Sequence, residues 1–216
     1  MDVGEPTQVM TPTLDGPVLA VLARVGEEQT PGEVHRRCRR GSEPGVRRTL
    51  ARLVTQGIVL ARPAGNAVLY SLNREHLAAA LVVGLVDLRV ALWARLRECL
   101  AAWEVPAVHV SAFGSAARGD GDERSDIDLL VVRPQGLGAH ESGWEAQIDD
   151  LRQRVRAWTG NRAQIVELDR DELRRATARG ERLVGEVRRD GIGLVGAPFA
   201  DLAPERRPRR RRTVNP

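Results

Sequence analysis

The sequence predicts a two-domain chain of mixed class, α+β in its first third and α/β in its second half, joined by a long helix. Three observations predict it. Three short helical patterns and a pair of β-prone runs crowd into residues 15–75. An uninterrupted helical pattern follows over 76–104. From Ala107 the apolar pattern alternates strand, loop, strand, helix, strand, helix, which is the grammar of a sheet with flanking helices. Residues 1–14 read as a flexible lead-in, 105–198 as the second domain, and 199–216 as a basic disordered tail.

The first domain is punctuated by caps. PVLAVLARV, from Pro17 to Val25, carries proline in its first turn. TPGEVHRRCRR, Thr30–Arg40, opens with a Thr cap, and Glu33 three residues on completes a capping box. SEPGVRRTLARLVTQG, Ser42–Gly57, repeats the device with Ser42 as cap and Gly57 as stop. Val46, Leu50, Leu53 and Val54 share one face of it. IVLARPAGNAVLYSL, Ile58–Leu72, is a hairpin turning at Pro63-Ala64-Gly65-Asn66. Three helices and a hairpin make a winged helix-turn-helix, and VRRTLARLVTQGIV resembles the recognition helix and first wing strand of bacterial regulators of that class. The resemblance implies double-stranded DNA as partner. Arg47, Arg48 and Arg52 would lie on the groove-facing helix, Arg62 on the wing, and Arg36, Arg37, Arg39 and Arg40 near phosphates. Winged helices also serve as protein-docking modules, so this partner is an expectation for the structure to meet.

In the middle segment Leu81, Leu85, Leu88, Leu92, Leu96, Cys99 and Trp103 step by three or four. Such a stripe links the domains, forms a homodimer seam, or packs on its own chain.

Composition bounds the rest. The chain has 216 residues, 42% hydrophobic and 29% charged, with aromatics at only 3%, so aliphatic side chains must fill its cores. Every basic residue among the 33 is arginine. The net charge of +4 resides in the last sixteen residues, where six arginines meet two acids, and the first 200 residues sum to zero. The Arg206–Arg212 run would add salt-sensitive affinity for nucleic acid, or simply be solvated. Cys38 and Cys99 make neither a disulfide framework nor a metal site and read as inert thiols. No apolar run approaches membrane-spanning length, and the first residues lack a signal-peptide pattern, so a cytoplasmic protein without membrane partners is expected.

The chemistry is concentrated in HVSAFGSAARGDGDERSDIDLLVV, His109–Val132. Residues two apart on a strand share a face, so Asp126 and Asp128 point together at the start of an otherwise aliphatic strand. Adjacent carboxylates repel, and a hard divalent cation, Mg²⁺ or Mn²⁺, relieves the repulsion. Upstream, Gly114 admits close backbone approach, Ser115 offers a hydroxyl where a helix begins, and Arg118 brings positive charge. Phosphate on one side and metal on the other describe phosphoryl or nucleotidyl transfer. The stretch resembles the signature of the minimal nucleotidyltransferases of the DNA polymerase β superfamily. The matching positions are Gly114, Ser115, Ala117, Arg118, Gly119, Ser125, Asp126, Asp128 and Leu129. The resemblance implies an NTP held by Gly114, Ser115, Arg118 and Ser125, with metal on Asp126 and Asp128 as the catalytic pair.

One departure stands out. The family places a third carboxylate on a later strand as general base, and here Gln164 occupies that place. An amide orients a hydroxyl but takes no proton near neutral pH. Glu167, three residues on, would face the other way unless a bulge turns it, and Asp120 and Asp122 in the loop are further acids. Three functions therefore stay open: a DNA-binding nucleotidyltransferase with an unknown acceptor, a regulator whose degenerate domain only senses nucleotide, or the antitoxin of a toxin–antitoxin pair. The chain is too short for the domains with which a templated polymerase grips primer and template.

Overall fold

A computed structural model of the chain describes residues 1–38 and 40–204. Arg39 and the arginines from Arg206 to Arg212, singled out above, lie outside the described residues. Contacts divide the chain into two units. The first holds Met1–Arg95 with 119–125 and 158–161; the second holds 96–118, 126–157 and the remainder from Arg162. The main stretch of the first unit ends at Arg95, ahead of the border expected at residue 105, and the loop before Asp126 groups with the first unit.

In the first unit, α1 (Asp15–Arg24), α2 (Pro31–Cys38) and α3 (Glu43–Thr55) precede β1 (Val59–Ala64) and β2 (Ala67–Leu72). The caps act as the sequence predicts. Glu33 accepts from the Thr30 amide at 2.8 Å while Thr30 Oγ1 accepts from the Glu33 amide at 3.3 Å, and Ser42 Oγ accepts from the Gly45 amide at 3.2 Å. The hairpin is tighter than expected. β1 runs through Pro63 and Ala64, Ala64 pairs with Ala67, and only Gly65-Asn66 turn, with Gly65 at φ 57°. Val18, Leu22, Val34, Val46, Leu50 and Leu53 form the core beneath the hairpin's Val59 and Leu72.

Residues 1–14 are not a loose lead-in. Val3 and Thr7 are buried, Pro6–Val9 form a 3₁₀ turn, and the Glu5 amide donates to Asp2 Oδ1 at 2.7 Å. One apolar anchor, Val3, and one polar one, Thr7, hold the segment down. The single helix expected over 76–104 is two, α4 (Ala79–Val86) and α5 (Leu88–Ala101), separated at Asp87. Val82, Val83 and Val86 are β-branched and Gly84 is a poor helix former, so α4 has little intrinsic hold on its C-terminal end. Of the apolar stripe, Leu92, Leu96 and Trp103 are buried within this chain, Leu85, Leu88 and Cys99 are half-buried, and Leu81 is 70% exposed.

In the second unit, β3 (His109–Phe113), α6 (Gly114–Arg118), β4 (Ile127–Val132), α7 (Ser142–Thr159) and β5 (Ala163–Leu168) follow in order. Next come α8 (Arg170–Arg179), α9 (Arg182–Asp190), β6 (Ile192–Gly196) and the short α10 (Phe199–Leu202). The sheet order is β5-β4-β3-β6. β4 runs antiparallel to β3 and parallel to β5, and β6 runs antiparallel to β3, so the sheet is mixed with helices flanking it, as expected. One face, carrying Phe113, Leu130 and Val132, packs on Leu173 and Ala176 of α8 and Val184 and Val187 of α9. α7 keeps Trp144, Ile148, Leu151 and Val155 buried along one side at helical spacing.

Candidate active site

Asp128 sits on β4 opposite Phe113 of β3, the residue just before Gly114. Gly114 has φ 69°, a left-handed conformation that side chains rarely adopt, and a Cβ placed there would stand 2.2 Å from Asp128 Oδ2. So the strand end turns into α6 with its backbone against the Asp128 carboxylate, and no residue with a side chain fits. Ser115, next in line, is half-buried.

Asp126 lies just before β4 and is half-buried, like Asp128. The Asp128 carboxyl titrates above its ordinary range. Burial is the main cause, followed by the charges of Asp126 and then Glu186, with Arg118 pulling the other way. A low-dielectric carboxylate beside two more negative groups is poorly solvated for its charge, and a divalent cation would reverse each of these penalties. Among the described residues no three His, Cys, Asp or Glu side chains converge to cage a metal. Two adjacent carboxylates suit Mg²⁺, which retains several waters and takes its remaining ligands from phosphate.

Arg118, at the end of α6, reaches Asp190 of α9 at 3.5 Å. Ser125, assigned to the nucleotide by resemblance, is engaged within its own loop. It donates to Asp122 Oδ1 at 2.8 Å and accepts from the Asp122 amide at 2.9 Å. The Ser125 hydroxyl, and after it the Arg124 amide at 3.0 Å, hold the Asp122 carboxyl below its usual range, and the bonds close the turn that leads into Asp126.

Gln164 stands beside Asp128 across the parallel β4–β5 register, the place the third carboxylate would fill. Glu167 points to the other face. It accepts from Trp144 Nε1 at 2.8 Å and lies 3.8 Å from Arg152, so it satisfies a buried indole and does not reach the aspartates. Glu186, whose charge acts on Asp128, was not singled out in the sequence. Its signal was faint: an acid one helical turn before Asp190 on a helix with no motif.

The expected DNA-contact residues are mostly occupied within the first unit. Arg47 pairs with Glu43 at 2.6 Å, Arg52 pairs with Asp15, and Arg62 Nε donates to Glu28 Oε1 at 2.8 Å. Arg40 pairs with Glu5 at 2.7 Å. Arg48 is exposed and makes no ion pair with a described residue, and Arg36 and Arg37 are exposed on α2.

The geometry belongs to a recognisable domain. Residues 95–181 match the family model described as a nucleotidyltransferase domain. The match spans β3, the Gly114-Ser115 turn, both aspartates and Gln164, and stops before α9. The second unit is thus nucleotidyltransferase-like through its α8. A solved structure described as "Crystal structure of the toxin-antitoxin with AMP-PNP" aligns over 51% of this chain and 80% of that chain, at 21% identity and TM-score 0.37. No curated protein matches the chain. No helix among the described residues is long and apolar enough to cross a membrane.

Proposed function

We propose that the chain is a nucleotidyltransferase that binds an NTP with Mg²⁺ or Mn²⁺ and moves a nucleoside monophosphate to an acceptor hydroxyl. The observation that carries the reading is the seat of Gly114 against Asp128, which puts the Gly-Ser turn and the carboxylate pair at one place in a nucleotidyltransferase-like unit. Asp126 and Asp128 would hold the cation, which when bound offsets the charge of the phosphates. Gly114 leaves its backbone open to phosphate oxygens and the Ser115 hydroxyl donates to them. Arg118, 3.5 Å from Asp190, would bring positive charge to the phosphates.

A second reading keeps the ligand and drops the transfer. Gln164 beside Asp128 removes the strand-borne base, which favours a nucleotide sensor that regulates DNA binding. The order of three helices and a hairpin supports a winged helix-turn-helix for that role. Arg48, Arg36 and Arg37 would be the first donors to duplex DNA, and Arg47, Arg52 and Arg62 would have to leave acidic partners.

The two readings separate in one assay. Each of four NTPs labelled at the α-phosphate is incubated with Mg²⁺, the protein and fractionated host extract. Label that appears on an acceptor and disappears in Asp128→Asn establishes transfer. Nucleotide binding without label under Mg²⁺ or Mn²⁺ establishes the sensor.

A further inference from the structure

Away from the carboxylate pair, β3 borders a second opening at its other end. Phe113 faces Asp128 and His109 faces Val132 across the β3–β4 register, so the two ends stand about 13 Å apart along the strand. At the His109 end a cavity of about 570 Å³ is walled by His109, Ser111, Val187, Gly193 and Phe199, among others. β6 is an edge strand with Gly193 exposed upon it, and the cavity opens there. β6 also bulges at this wall: Val110 pairs with Val195 but Ser111 with Gly193, which leaves Leu194 over. His109 is 2% exposed and Ser111 1%, and neither His109 Nε2 nor Ser111 Oγ has a hydrogen-bond partner among the described residues. His109 Nδ1 lies 2.8 Å from the Ala197 carbonyl, which only accepts, so Nδ1 carries the proton. Burial holds the ring's pKa below its ordinary value, against the pull of that carbonyl. Nε2 is therefore a bare acceptor and the Ser111 hydroxyl an unused donor. Buried polar groups left unmade cost free energy that a ligand recovers. The Phe199 ring lies on that of His109, centroids 5.5 Å apart, and gives the wall an aromatic surface. Arg188 in the wall is spent on the Ala203 carbonyl at 2.6 Å and the Pro204 carbonyl at 3.0 Å.

We infer that this cavity binds an uncharged flat heterocycle, whose N–H donates to His109 Nε2 and whose neighbouring carbonyl accepts from Ser111 Oγ, the edge that a cyclic amide or imide presents. His109 and Ser111 are two apart on one face of β3, about 7 Å, a span that one such edge and its two hydrogen bonds bridge. Val187 and Phe199 supply the apolar contact for the ring. The volume exceeds a single ring and falls in the range of small-molecule sites, so a substituted ring also fits. The inference stands apart from the nucleotidyltransferase reading, because neither aspartate nor the Gly114-Ser115 turn lines the cavity.

The probe is uracil, titrated into the full chain labelled with nitrogen-15 histidine and followed by NMR at the side-chain nitrogens. The chain has four histidines, and His109 is told from the others by its Nδ1–H tautomer. Uracil should shift the His109 Nε2 signal saturably. 1,3-Dimethyluracil keeps the ring and both carbonyls but lacks the N–H donors, and it should bind roughly tenfold more weakly or worse. Ser111→Ala should weaken uracil by roughly fivefold to tenfold, the loss of one hydrogen bond. Gly193→Leu should abolish the shift by filling the cavity, since a Cβ at Gly193 meets no heavy atom within 4 Å. A His109 signal that does not move up to the solubility limit of uracil would overturn the site and leave water as its occupant. Equal affinity for 1,3-dimethyluracil would overturn the assigned ligand class. Unchanged uracil affinity in Gly193→Leu would place the binding elsewhere and overturn the inference; should that variant not fold, unchanged affinity in Ser111→Ala does the same.

Discussion

At the scale of single residues, Asp128 is held in its charged form at a cost. Its ordinary carboxyl is raised by burial, then by Asp126 and Glu186. The sign follows directly. Below the ordinary carboxylate range both folded and unfolded Asp128 are protonated and the penalty is absent. As pH rises through the raised folded value the penalty appears in full. The metal-free Asp128→Asn variant should therefore melt higher than the metal-free wild type at pH 7, and the gap should close near pH 3. Thermal unfolding in chelator at both pH values checks this; an Asn variant that melts lower at pH 7 contradicts it. Gly114→Ala meets both a positive φ and the Asp128 oxygen, so it should lose nucleotide binding in calorimetry while the first unit keeps its fold. Cys38 is buried, and its thiol is pushed up to about 11 by that burial and by Glu5. It should resist a thiol reagent at pH 8 in the native chain and react on unfolding, because the thiolate is the reactive form.

At the scale of elements, caps and turns were legible in the sequence because each is a local contract between neighbours. Thr30 with Glu33 and the Ser42 cap appear where the residues placed them, and the hairpin turns inside the expected Pro63–Asn66 cluster, at Gly65-Asn66 alone. Ser42→Ala should cost about 1 kcal/mol of stability, measured by urea unfolding. β5 fell on Ala163–Leu168 as the alternation predicted, and its register set Gln164 beside Asp128. Elements whose fate depends on distant partners were less legible. The apolar stripe through Leu81 and Leu96 looked continuous, yet the helix breaks at Asp87, and only tertiary packing decides which of its leucines are buried. The lead-in carried no periodic pattern, so the burial of Val3 could not be read from it.

At the scale of the whole molecule, the candidate site was readable where its residues are contiguous and obscure where they are not. Gly114, Ser115, Asp126 and Asp128 fall within fifteen residues and announce themselves as a phosphate-and-metal pattern. Gln164 and Asp128 are thirty-six residues apart and meet only through the pairing of β4 with β5. The arginines of α3 and the hairpin illustrate the reverse error. As sequence they form a basic row, but Glu43, Asp15 and Glu28 neutralise three of them. Weak DNA binding with a shallow salt dependence is therefore expected, and Arg48→Ala should reduce the slope of log affinity against log salt by about one contact.

The central claim is that Asp126, Asp128 and the Gly114-Ser115 turn form one metal-dependent nucleotide site. Calorimetric titration of a non-hydrolysable NTP into the full chain, with Mg²⁺ and then with chelator, tests it most directly when repeated on Asp128→Asn. The account predicts binding that needs both Mg²⁺ and Asp128. Equal affinity in chelator, or in Asp128→Asn, would contradict it.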